Sequence, residues 1–547
     1  MIPSAPIVSA AHPTEATWWQ KGSIYQIYPL SFKDSNGDGS GDLRGIIIRL
    51  DYCRWLGINA VWLSPIYPSP MIDFGYDISN FTDIHPLFGT LSDFDALVSE
   101  ARRLNLKILL DYVPNHSSDQ HSWFLESRSS RNNPYRAWYI WRDPAPGGGP
   151  PNNWLSAFGG SAWEWDKNTG QYYLHSYLKE QPDLNWRSPD VEQAMIDVLR
   201  FWLDRGVSGF RVDSIAHLMK DTQFRDNPLN PDWDPATGPY FRYLPVHSRD
   251  HPDTANVIRQ IRQVIDGYED CVIIGEAYLS LERTVAYYAA GVHLPFNFAL
   301  ITSPWTAREV HRIITTYESL LGPGQWPNWV LGNHDRHRIA TRVGRAQARV
   351  AAMLLLTLRG TPTLYYGDEI AMLDVPIPAE LVKDPWELNV PSLGLGRDPE
   401  RSPMQWDSTN HAGFSTAIPW LPVASDFNRF NVAIESQEAD SVLTLYRRLI
   451  ALRAEKPALH SGPYGELLCE DHVLCYSRQS GSEHFLIVLN FSEEPKMFEH
   501  RGLHGSVILT TALDRNSEPV GEKLRLRPDE GVIVEVEHPK RLSNPLI

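Results

Sequence analysis

The sequence predicts a (β/α)8 TIM barrel, with an inserted subdomain after the third strand and a C-terminal antiparallel β domain. Short apolar runs of strand length alternate with helical patterns, as they do in parallel sheets and barrels. Three of these runs end in a carboxylate, and the chain between them is long enough for a helix and a connection back to the next parallel strand. The length of 547 residues suits a large barrel with additions.

The barrel strands are predicted from apolar runs bounded by turn residues. In chain order they cover residues 23–30, 58–63, 106–113, 209–213, 272–277, 292–298, 329–332 and 363–366. Apolar residues at helical spacing predict helices between and after these strands. The clearest helical patterns cover residues 46–56, 94–104, 191–205, 346–358 and 441–454.

Changes in composition divide the chain into further segments. Residues 114–186 are rich in Pro, Gly, Asn, Ser and Trp and too many for a plain loop, so we expect a subdomain inserted into a barrel of residues 18–113 and 187–465. Residues 372–430 carry many prolines, which indicates a long loop excursion after the eighth strand. Alternating runs at 473–477, 485–490, 505–509 and 531–536 predict a β-sandwich domain over residues 466–547.

Charge and hydropathy exclude several classes of protein. A formal net charge of -16 argues against nucleic acid as a partner, because the phosphate backbone is itself negative. No apolar run has the length of a membrane span. Residues 1–17 lack both the basic start and the long apolar core of a secretory signal, so we expect a disordered leader.

The four cysteines predict free thiols in a reducing compartment. Cys53 and Cys271 lie in apolar segments, which indicates buried thiols. Cys469 and Cys475 could pair across a hairpin, but two free thiols are the favoured interpretation. Zinc-binding spacings are absent from the sequence. We therefore expect a cytoplasmic protein, with the periplasm as the less favoured location.

An acidic loop after the first strand has oxygen-bearing side chains at alternate positions, with glycines between them. Oxygen ligands in this pattern suit a hard cation. The loop is not an EF-hand, because Gly45 stands where that motif has its twelfth-position Glu. The alternative is an acidic turn without a metal. The candidate ligands are Asp34, Asn36, Asp38, Ser40 and Asp42.

Three carboxylates, Asp213, Glu276 and Asp335, follow predicted strands. A parallel barrel builds its active site at the C-terminal ends of its strands, so the three groups can meet there. Two such groups are the minimum machinery for cleaving a glycosidic bond. Taken singly, a carboxylate at such a position is more often a helix cap or an ion-pair partner. Arg211 points to the same side of its strand as Asp213 and can hold that carboxylate ionised.

Several segments resemble the signature regions of glycoside hydrolase family 13, the α-amylase family. The four regions correspond to Asp-Tyr-Val-Pro-Asn-His at 111–116, Gly-Phe-Arg-Val-Asp at 209–213, Gly-Glu-Ala at 275–277 and Asn-His-Asp at 333–335. Gln-Pro-Asp-Leu-Asn at 181–185 resembles a fifth region, typical of the oligo-1,6-glucosidase and α-glucosidase branch. Segments 360–369 and 401–407 fit the same branch. The resemblance extends over residues 18–453 in the right order.

The resemblance implies a role for each candidate residue. Asp213 would be the nucleophile and Glu276 the general acid and then the general base. Asp335 would bind sugar hydroxyls, stabilise the cationic transition state and raise the pKa of Glu276. Asp73 and Arg401 would grip the far hydroxyls of the terminal glucose and so close the site into a pocket. The other substrate-binding candidates are Tyr76, His116, Arg211 and His334.

These roles imply a retaining, exo-acting α-glucosidase that releases α-glucose from the non-reducing end of short α-1,4-linked oligosaccharides such as maltose. Ser214 supports the α-1,4 preference, because enzymes of this branch that prefer α-1,6 bonds resemble one another in having Val after the nucleophile. Transfer of the glucosyl group to alcohol acceptors is a further expectation.

The same resemblance leaves alternatives within the family: a sucrose or maltose isomerase, a trehalose synthase or a sucrose hydrolase. A non-catalytic, transporter-associated relative is disfavoured, because all three carboxylates are present. The resemblance assigns a structural Ca²⁺ to the acidic loop, with Mg²⁺ as the alternative, and no organic cofactor. The expected partner is a small oligosaccharide substrate, and the expected assembly is a monomer or a homodimer.

Overall fold

The protein folds around a closed parallel β barrel; the computed structural model describes residues 16–391 and 393–537. The seventh strand pairs with the eighth, the eighth with the first, and the remaining strands follow in chain order to the sixth. A parallel bridge between Asn297 and Trp329 joins the sixth and seventh strands and closes the barrel, as predicted. The strands are Ile24–Ile27, Ala60–Leu63, Lys107–Tyr112, Gly209–Val212, Val272–Gly275, Leu294–Pro295, Asn328–Val330 and Thr361–Tyr365.

The barrel strands are mostly shorter than their apolar runs predict. The first strand ends at Ile27 rather than at residue 30, because Pro29 begins the helix Pro29–Phe32. Proline has a fixed helical φ and no N–H, which suits the first position of a helix better than a central strand. The sixth strand consists of Leu294–Pro295 alone.

A helix follows each barrel strand, and all five predicted helices are confirmed with shifted ends. The helix predicted from residue 346 begins already at Ile339, with a kink at Gly344, where φ is 78°. The barrel helices are Leu43–Leu56, Leu91–Arg103, Pro189–Asp204, Thr254–Ile265, Leu281–Ala290, Ala307–Leu320, Ile339–Thr357 and Val442–Glu455. Further short helices are Trp18–Lys21, Pro29–Phe32, Ala299–Thr302, Val432–Glu435 and Pro457–His460.

Two long segments extend from the barrel on the side of the strand C-termini. Residues 114–186 contain the helix Ser122–Ser129, the 3-10 turn Pro134–Trp138 and an antiparallel sheet of Trp141–Arg142, Gln171–Leu174 and Trp163–Asp166. The described part of 372–430 contains the helix Pro385–Asn389 and the 3-10 turns Ala379–Leu381, Pro399–Arg401 and Asn410–Gly413. The segments meet where the rings of Phe158 and Trp386 lie 5.4 Å apart.

The C-terminal domain is antiparallel, and the four strands predicted for it are present. Its six-stranded sheet runs in the order Tyr464–Glu470, Val473–Ser480, Glu483–Asn490, Gly531–Val536, Gly505–Thr510 and Pro519–Val520. A second sheet pairs Lys496–Glu499 with Lys523–Leu526. Leu474 and Tyr476 pack in the same core as the barrel, whereas Cys475 packs on the second sheet, so alternate residues of one strand serve two cores.

The remaining sequence expectations concern the cysteines and the chain ends. All four cysteines are free thiols. Cys53 is buried as expected, but Cys271 is partly exposed, because it stands at the edge of the barrel just before the fifth strand begins. Of the leader expected over 1–17, residues 1–15 lie outside the described part of the chain, and Thr17 is the N-cap of Trp18–Lys21. Within the described residues, no helix has the length and hydropathy needed to cross a membrane.

Candidate active site

The three candidate carboxylates meet in one pocket at the C-terminal end of the barrel. Asp213 directly follows the fourth strand and Glu276 the fifth, while Asp335 lies in the loop after the seventh. All three line the pocket, together with four of the predicted substrate-binding residues. These four are Asp73, Tyr76, His116 and His334.

Arg211 connects the two candidate carboxylates of a double displacement. Its Nη1 donates to Asp213 Oδ1 at 2.8 Å, and its Nη2 lies 3.0 Å from Glu276 Oε2. Nη1 also donates to Asp111, which the parallel register of the third and fourth strands places beside Arg211. Because one rigid, buried guanidinium binds both carboxylates, their separation is fixed. The backbone N–H of Ser214 adds a hydrogen bond of 2.8 Å to Glu276 Oε2.

The surroundings give Asp213 and Glu276 different affinities for a proton. Burial raises the pKa of Asp213 to about 6, against the opposing effect of Arg211. Burial also raises the pKa of Glu276 to about 7, and the charges of Asp213 and Asp335 add to that rise. The expected influence of Asp335 on Glu276 is therefore present, but burial is the larger cause. The two carboxyls titrate as a pair, and the higher pKa of Glu276 favours it as the group that holds the proton.

Asp335 is ionised under the same conditions. Arg397 Nη1 and Arg401 Nη2 lie 3.2 Å and 3.1 Å from its Oδ1. Burial alone would raise the pKa of Asp335, but the guanidiniums of Arg397 and Arg401 outweigh it and hold the pKa well below its usual range. The site thus combines Asp335, which stays ionised, with Asp213 and Glu276, which share one proton.

His334 is neutral, because burial lowers its pKa well below the ordinary value. Its Nδ1 lies 2.7 Å from the amide nitrogen of Gln26, which can only donate, so the proton sits on Nε2. Nε2 lies 2.7 Å from Tyr76 Oη, and that hydroxyl donates to Asp111 Oδ2 at 3.0 Å. The Tyr76 and His334 rings are stacked within 2° of parallel. This chain of hydrogen bonds fixes the wall of the pocket.

The structure brings Asp73 together with Arg397 rather than with Arg401, the arginine that the sequence analysis placed beside it. Arg397 Nη2 lies 2.8 Å from Asp73 Oδ1 and 2.6 Å from Asp384 Oδ1. Arg401 is fully buried, donates through Nε to the carbonyl of His334 at 2.8 Å and packs over the Tyr28 ring. Arg401 ends the turn Pro399–Arg401, and of these two arginines it is Arg397 that lines the pocket.

The inserted subdomain contributes residues to which sequence reasoning gave no role. The Gln181 amide donates to Asp73 Oδ2 at 3.0 Å and lies 3.2 Å from His116 Nε2. Gln181 begins the fifth signature segment, and this segment is the sequence pattern from which its place in the site could have been predicted. Tyr177 Oη lies 2.5 Å from Ser214 Oγ, directly beside Asp213, and no sequence pattern marks it. Phe158 of this subdomain and Trp386 of the segment after the eighth strand also line the pocket.

The acidic loop after the first strand lies outside the pocket. Asp34 accepts hydrogen bonds from the amides of Asn36, Gly37 and Gly39, and Asp42 caps the helix Leu43–Leu56. Gly37 and Gly39 have φ of 81° and 94°, which lets the loop turn sharply. The donor set consists of oxygens, and a carboxylate has about four lone-pair sites. Asp34 fills its sites with these amides and the Ser415 hydroxyl, whereas Asp38 accepts only from Asn36 Nδ2 and the Ser40 N–H and keeps sites for a hard cation.

Comparisons with known proteins agree with this geometry. The family described as "Alpha amylase, catalytic domain" matches residues 26–462. A probable alpha-glucosidase of Rhizobium meliloti (strain 1021) is 41% identical over 495 residues, which cover 87% of this chain and 90% of the relative. An oligo-1,6-glucosidase of Heyndrickxia coagulans is 38% identical over 566 residues, which cover 95% of this chain and 99% of the relative.

Solved structures show the same similarity. The alpha-glucosyl transfer enzyme XgtA has a TM-score of 0.90 and 38% identity, covering 96% of this chain and 100% of that one. The trehalulose synthase MutB from Pseudomonas mesoacidophila MX-45 has a TM-score of 0.87 and 35% identity, covering 96% and 100%. With its barrel, its three converging carboxylates and these relatives, the chain belongs to the α-amylase family and is a glycoside hydrolase of the α-glucosidase type.

Proposed function

We propose that this protein is a retaining, exo-acting α-glucosidase that releases α-glucose from the non-reducing end of short α-1,4-linked oligosaccharides such as maltose. One observation carries the proposal: Arg211 binds both Asp213 and Glu276, and these two carboxylates line the same pocket as the ion pair of Asp73 with Arg397. Fixed, adjacent carboxylates suit a double displacement, in which they stand roughly 5–5.5 Å apart.

In the first step, the Asp213 carboxylate attacks the anomeric carbon while the bond from that carbon to the leaving oxygen breaks. Glu276 gives its proton to the leaving oxygen, so the shortened sugar departs as a neutral alcohol. A pKa of about 7 keeps this proton available near neutral pH. The product is a covalent glucosyl ester of Asp213. The ionised Asp335 stabilises the positive charge that develops on the sugar ring.

In the second step, Glu276 is a carboxylate and takes a proton from water as the water oxygen attacks the same carbon. The ester bond breaks, Asp213 regains its negative charge, and Glu276 regains its proton. Two inversions at one carbon leave the α configuration. An alcohol in place of water would receive the glucosyl group, which is the proposed transfer activity. The structural neighbour XgtA is an alpha-glucosyl transfer enzyme, and its similarity supports this part of the proposal.

The pocket shape supports exo cleavage. Asp73 and Arg397 line the pocket, and Arg397 also pairs with Asp384. We infer that this buried set of ion pairs blocks the site where an open groove would continue. When a sugar unit reaches these residues, its hydroxyl groups can form hydrogen bonds that replace some of the ion-pair contacts. Burial lowers the pKa of His116 to about 4, so it faces the ring as a neutral hydrogen-bonding group.

The proposed preference for α-1,4 bonds depends on Ser214. Its hydroxyl is held by Tyr177 at 2.5 Å, and both residues line the pocket next to Asp213. A small polar side chain at this place leaves room that a branched apolar residue would fill. One such contact shifts selectivity by ~1–3 kcal/mol.

Product analysis tests the proposal. The purified protein is incubated separately with maltose, isomaltose, sucrose and soluble starch, and the anomer first released is followed by NMR. We expect α-glucose from maltose, with less from isomaltose and starch, and additional glucosides when an alcohol is present. Initial release of β-glucose would overturn retention, and internal cleavage of starch would overturn the exo mode.

A sucrose isomerase is the second candidate, favoured by the similarity to the trehalulose synthase MutB. The acceptor side also carries Arg336, whose guanidinium lies 5.0 Å from the centre of the Tyr278 ring. The sucrose incubation separates the two candidates. Sugar isomers without free glucose would indicate the isomerase, and glucose with fructose would indicate hydrolysis.

The acidic loop is proposed to bind a structural Ca²⁺ through Asp34, Asn36, Asp38, Ser40 and Asp42, with Mg²⁺ as the alternative. Removal of the ion with EDTA should lower the thermal midpoint, and Ca²⁺ should restore it more effectively than Mg²⁺.

The cytoplasmic location is a proposal that cell fractionation tests. The monomeric or homodimeric assembly is a proposal that light scattering of the purified protein tests.

A further inference from the structure

A second cluster of metal-ligating side chains lies beside the active site. His337, Asp374 and Glu400 each offer one ligand atom, and these atoms all lie within 4.8 Å of one another. His337 Nδ1 is 2.7 Å from Asp374 Oδ2 and 3.8 Å from Glu400 Oε2. The three residues come from the loop after the seventh strand, the segment after the eighth strand and the turn Pro399–Arg401.

Glu400 supplies a separate indication that a cation belongs here. The residue is 1% exposed, yet its Oε2 accepts no hydrogen bond from any residue that the structure describes. A buried carboxylate oxygen that has lost water without gaining a partner is costly. This oxygen lies 3.8 Å from His337 Nδ1, and the ligand atoms of Glu400 and Asp374 lie within 4.8 Å of each other, so a positive ion between the three residues would satisfy it.

We propose that His337, Asp374 and Glu400 bind a divalent transition-metal ion, with Zn²⁺ as the preferred ion. One imidazole nitrogen and two carboxylate oxygens are ligands that Zn²⁺ accepts, while Ca²⁺ and Mg²⁺ favour oxygen alone. Zn²⁺ ligand bonds of about 2.0–2.2 Å place ligand atoms roughly 3.0–3.6 Å apart. The observed distances of 2.7 and 3.8 Å lie on either side of this range.

The surroundings suit such a site. Asp374 Oδ1 accepts the backbone N–H of Arg338 at 2.9 Å, which turns Oδ2 toward His337. The His337 side chain is 52% exposed, so water can complete the coordination shell and the ion can enter from solvent.

The ion would act on the segments that carry the active site. His337 lies in the same loop as Asp335, and Glu400 directly precedes Arg401, which lies 3.1 Å from Asp335. An ion between His337 and Glu400 would therefore tie together the two segments that hold Asp335. An ion that binds only the folded state also stabilises the folded state.

Calorimetric titration of the whole protein with Zn²⁺ tests the site. The protein is first freed of metal by a chelator, and the buffer then contains Ca²⁺ so that the acidic loop does not compete. We compare the unsubstituted protein with His337→Ala, Glu400→Gln and the control His311→Ala, which removes a histidine of the helix Ala307–Leu320. We expect one Zn²⁺ per chain, with affinity roughly tenfold or more weaker in the first two variants and unchanged in the control.

Two further readouts identify the ligands. Co²⁺ in place of Zn²⁺ should give visible absorption bands that His337→Ala abolishes, and Zn²⁺ should raise the thermal midpoint of the unsubstituted protein but not of Glu400→Gln. Failure of the protein to bind Zn²⁺, or binding unaffected by both substitutions, would overturn the proposal. If Glu400→Gln does not fold, the comparison of His337→Ala with the unsubstituted protein tests the proposal. The His337 side chain is half-exposed, so its removal should have little effect on folding.

Discussion

Asp213 and Glu276 differ in their protonation because of the residues around them. Both are buried and both contact Arg211, and the charge of Asp335 raises the pKa of each. The charge of Asp213 raises the pKa of Glu276 further, although the hydrogen bond from the Ser214 N–H acts in the opposite direction. The identity of the two carboxylates and their Arg partner could be predicted from the sequence, since strand ends converge in a barrel. Their order of titration depends on burial, which only the folded arrangement shows.

The first residue-scale prediction concerns pH. Asp213 must be ionised and Glu276 protonated, so kcat/KM for maltose should fall below a pH of about 6 and above a pH of about 7. In Asp335→Asn, loss of a negative charge makes the protonated form of Glu276 less favourable, so the basic limb should move to lower pH. The measurement is the pH dependence of kcat/KM in both proteins. An unmoved basic limb would show that Asp335 does not act on Glu276.

The second residue-scale prediction concerns Tyr177, whose hydroxyl holds Ser214. Tyr177→Phe should lower the ratio of maltose to isomaltose turnover by roughly fivefold to tenfold, equivalent to about 1 kcal/mol. Ser214→Val should change the ratio in the same direction, but φ of 48° at this residue strains a β-branched side chain. Tyr177→Phe avoids that strain. Tyr172→Phe, in the same subdomain, is the control, and an unchanged ratio in Tyr177→Phe would argue against the Ser214 hypothesis.

Arg397 and Arg401 show the limit of sequence reasoning about single residues. Both lie in the same long loop, and the resemblance indicated that Arg401 would act together with Asp73. Which one does so depends on the turn Pro399–Arg401, which points Arg401 beneath His334 and leaves Arg397 in the pocket. Loop paths of this kind carry no periodic pattern.

At the scale of elements, every barrel strand could be predicted, because buried parallel strands are short apolar runs. Their ends could not, since the apolar run continues past the point where the backbone turns. Pro29 begins a helix within the first predicted strand, and Ser214 enters the left-handed region directly after Asp213. The helices begin at capping residues such as Thr90, whose side chain accepts the amide of Asp93.

The fourth strand begins at a glycine for a steric reason, which gives an element-scale prediction. Gly209 has φ of 137°, and a Cβ there would lie 2.1 Å from the carbonyl oxygen of Val272 on the fifth strand. Gly209→Ala should therefore lower the free energy of unfolding by about 2–3 kcal/mol. It should also lower activity, because the displaced strand carries Arg211 and Asp213.

Urea unfolding and maltose turnover measure these effects. Gly521→Ala is the matched control, because a Cβ there meets no atom within 4 Å, and we expect a change within about 0.5 kcal/mol. Equal stability of the two variants would contradict the steric argument.

At the scale of the whole molecule, the active site depends on segments that are far apart in the chain. Phe158 of the inserted subdomain and Trp386 of the long loop contact each other in the pocket lining, and Arg397 lies 4.8 Å from the Phe158 ring centre. Composition predicted that both segments leave the barrel. Their contact with each other could not be predicted, because it follows from the three-dimensional paths of two irregular segments.

The C-terminal domain shares its core with the barrel, so we expect the molecule to unfold as one unit. Tyr476 of this domain lies in the barrel core, and its hydroxyl is 2.5 Å from Thr357 Oγ1 at the end of the helix Ile339–Thr357. Arg478 donates to the carbonyl of Thr357 as well. Tyr476→Ala should lower the free energy of unfolding by roughly 3–5 kcal/mol, because it leaves a cavity between the two domains.

Differential scanning calorimetry measures this effect alongside the temperature at which maltose hydrolysis is lost. We expect a single transition that moves to lower temperature in Tyr476→Ala, with activity lost at the same lower temperature, because the helix Ile339–Thr357 directly follows the loop that carries Asp335. Met497→Ala, on the exposed side of the same domain, should leave both temperatures nearly unchanged. A transition that splits in two, with activity retained after the first, would show that the C-terminal domain unfolds independently of the barrel.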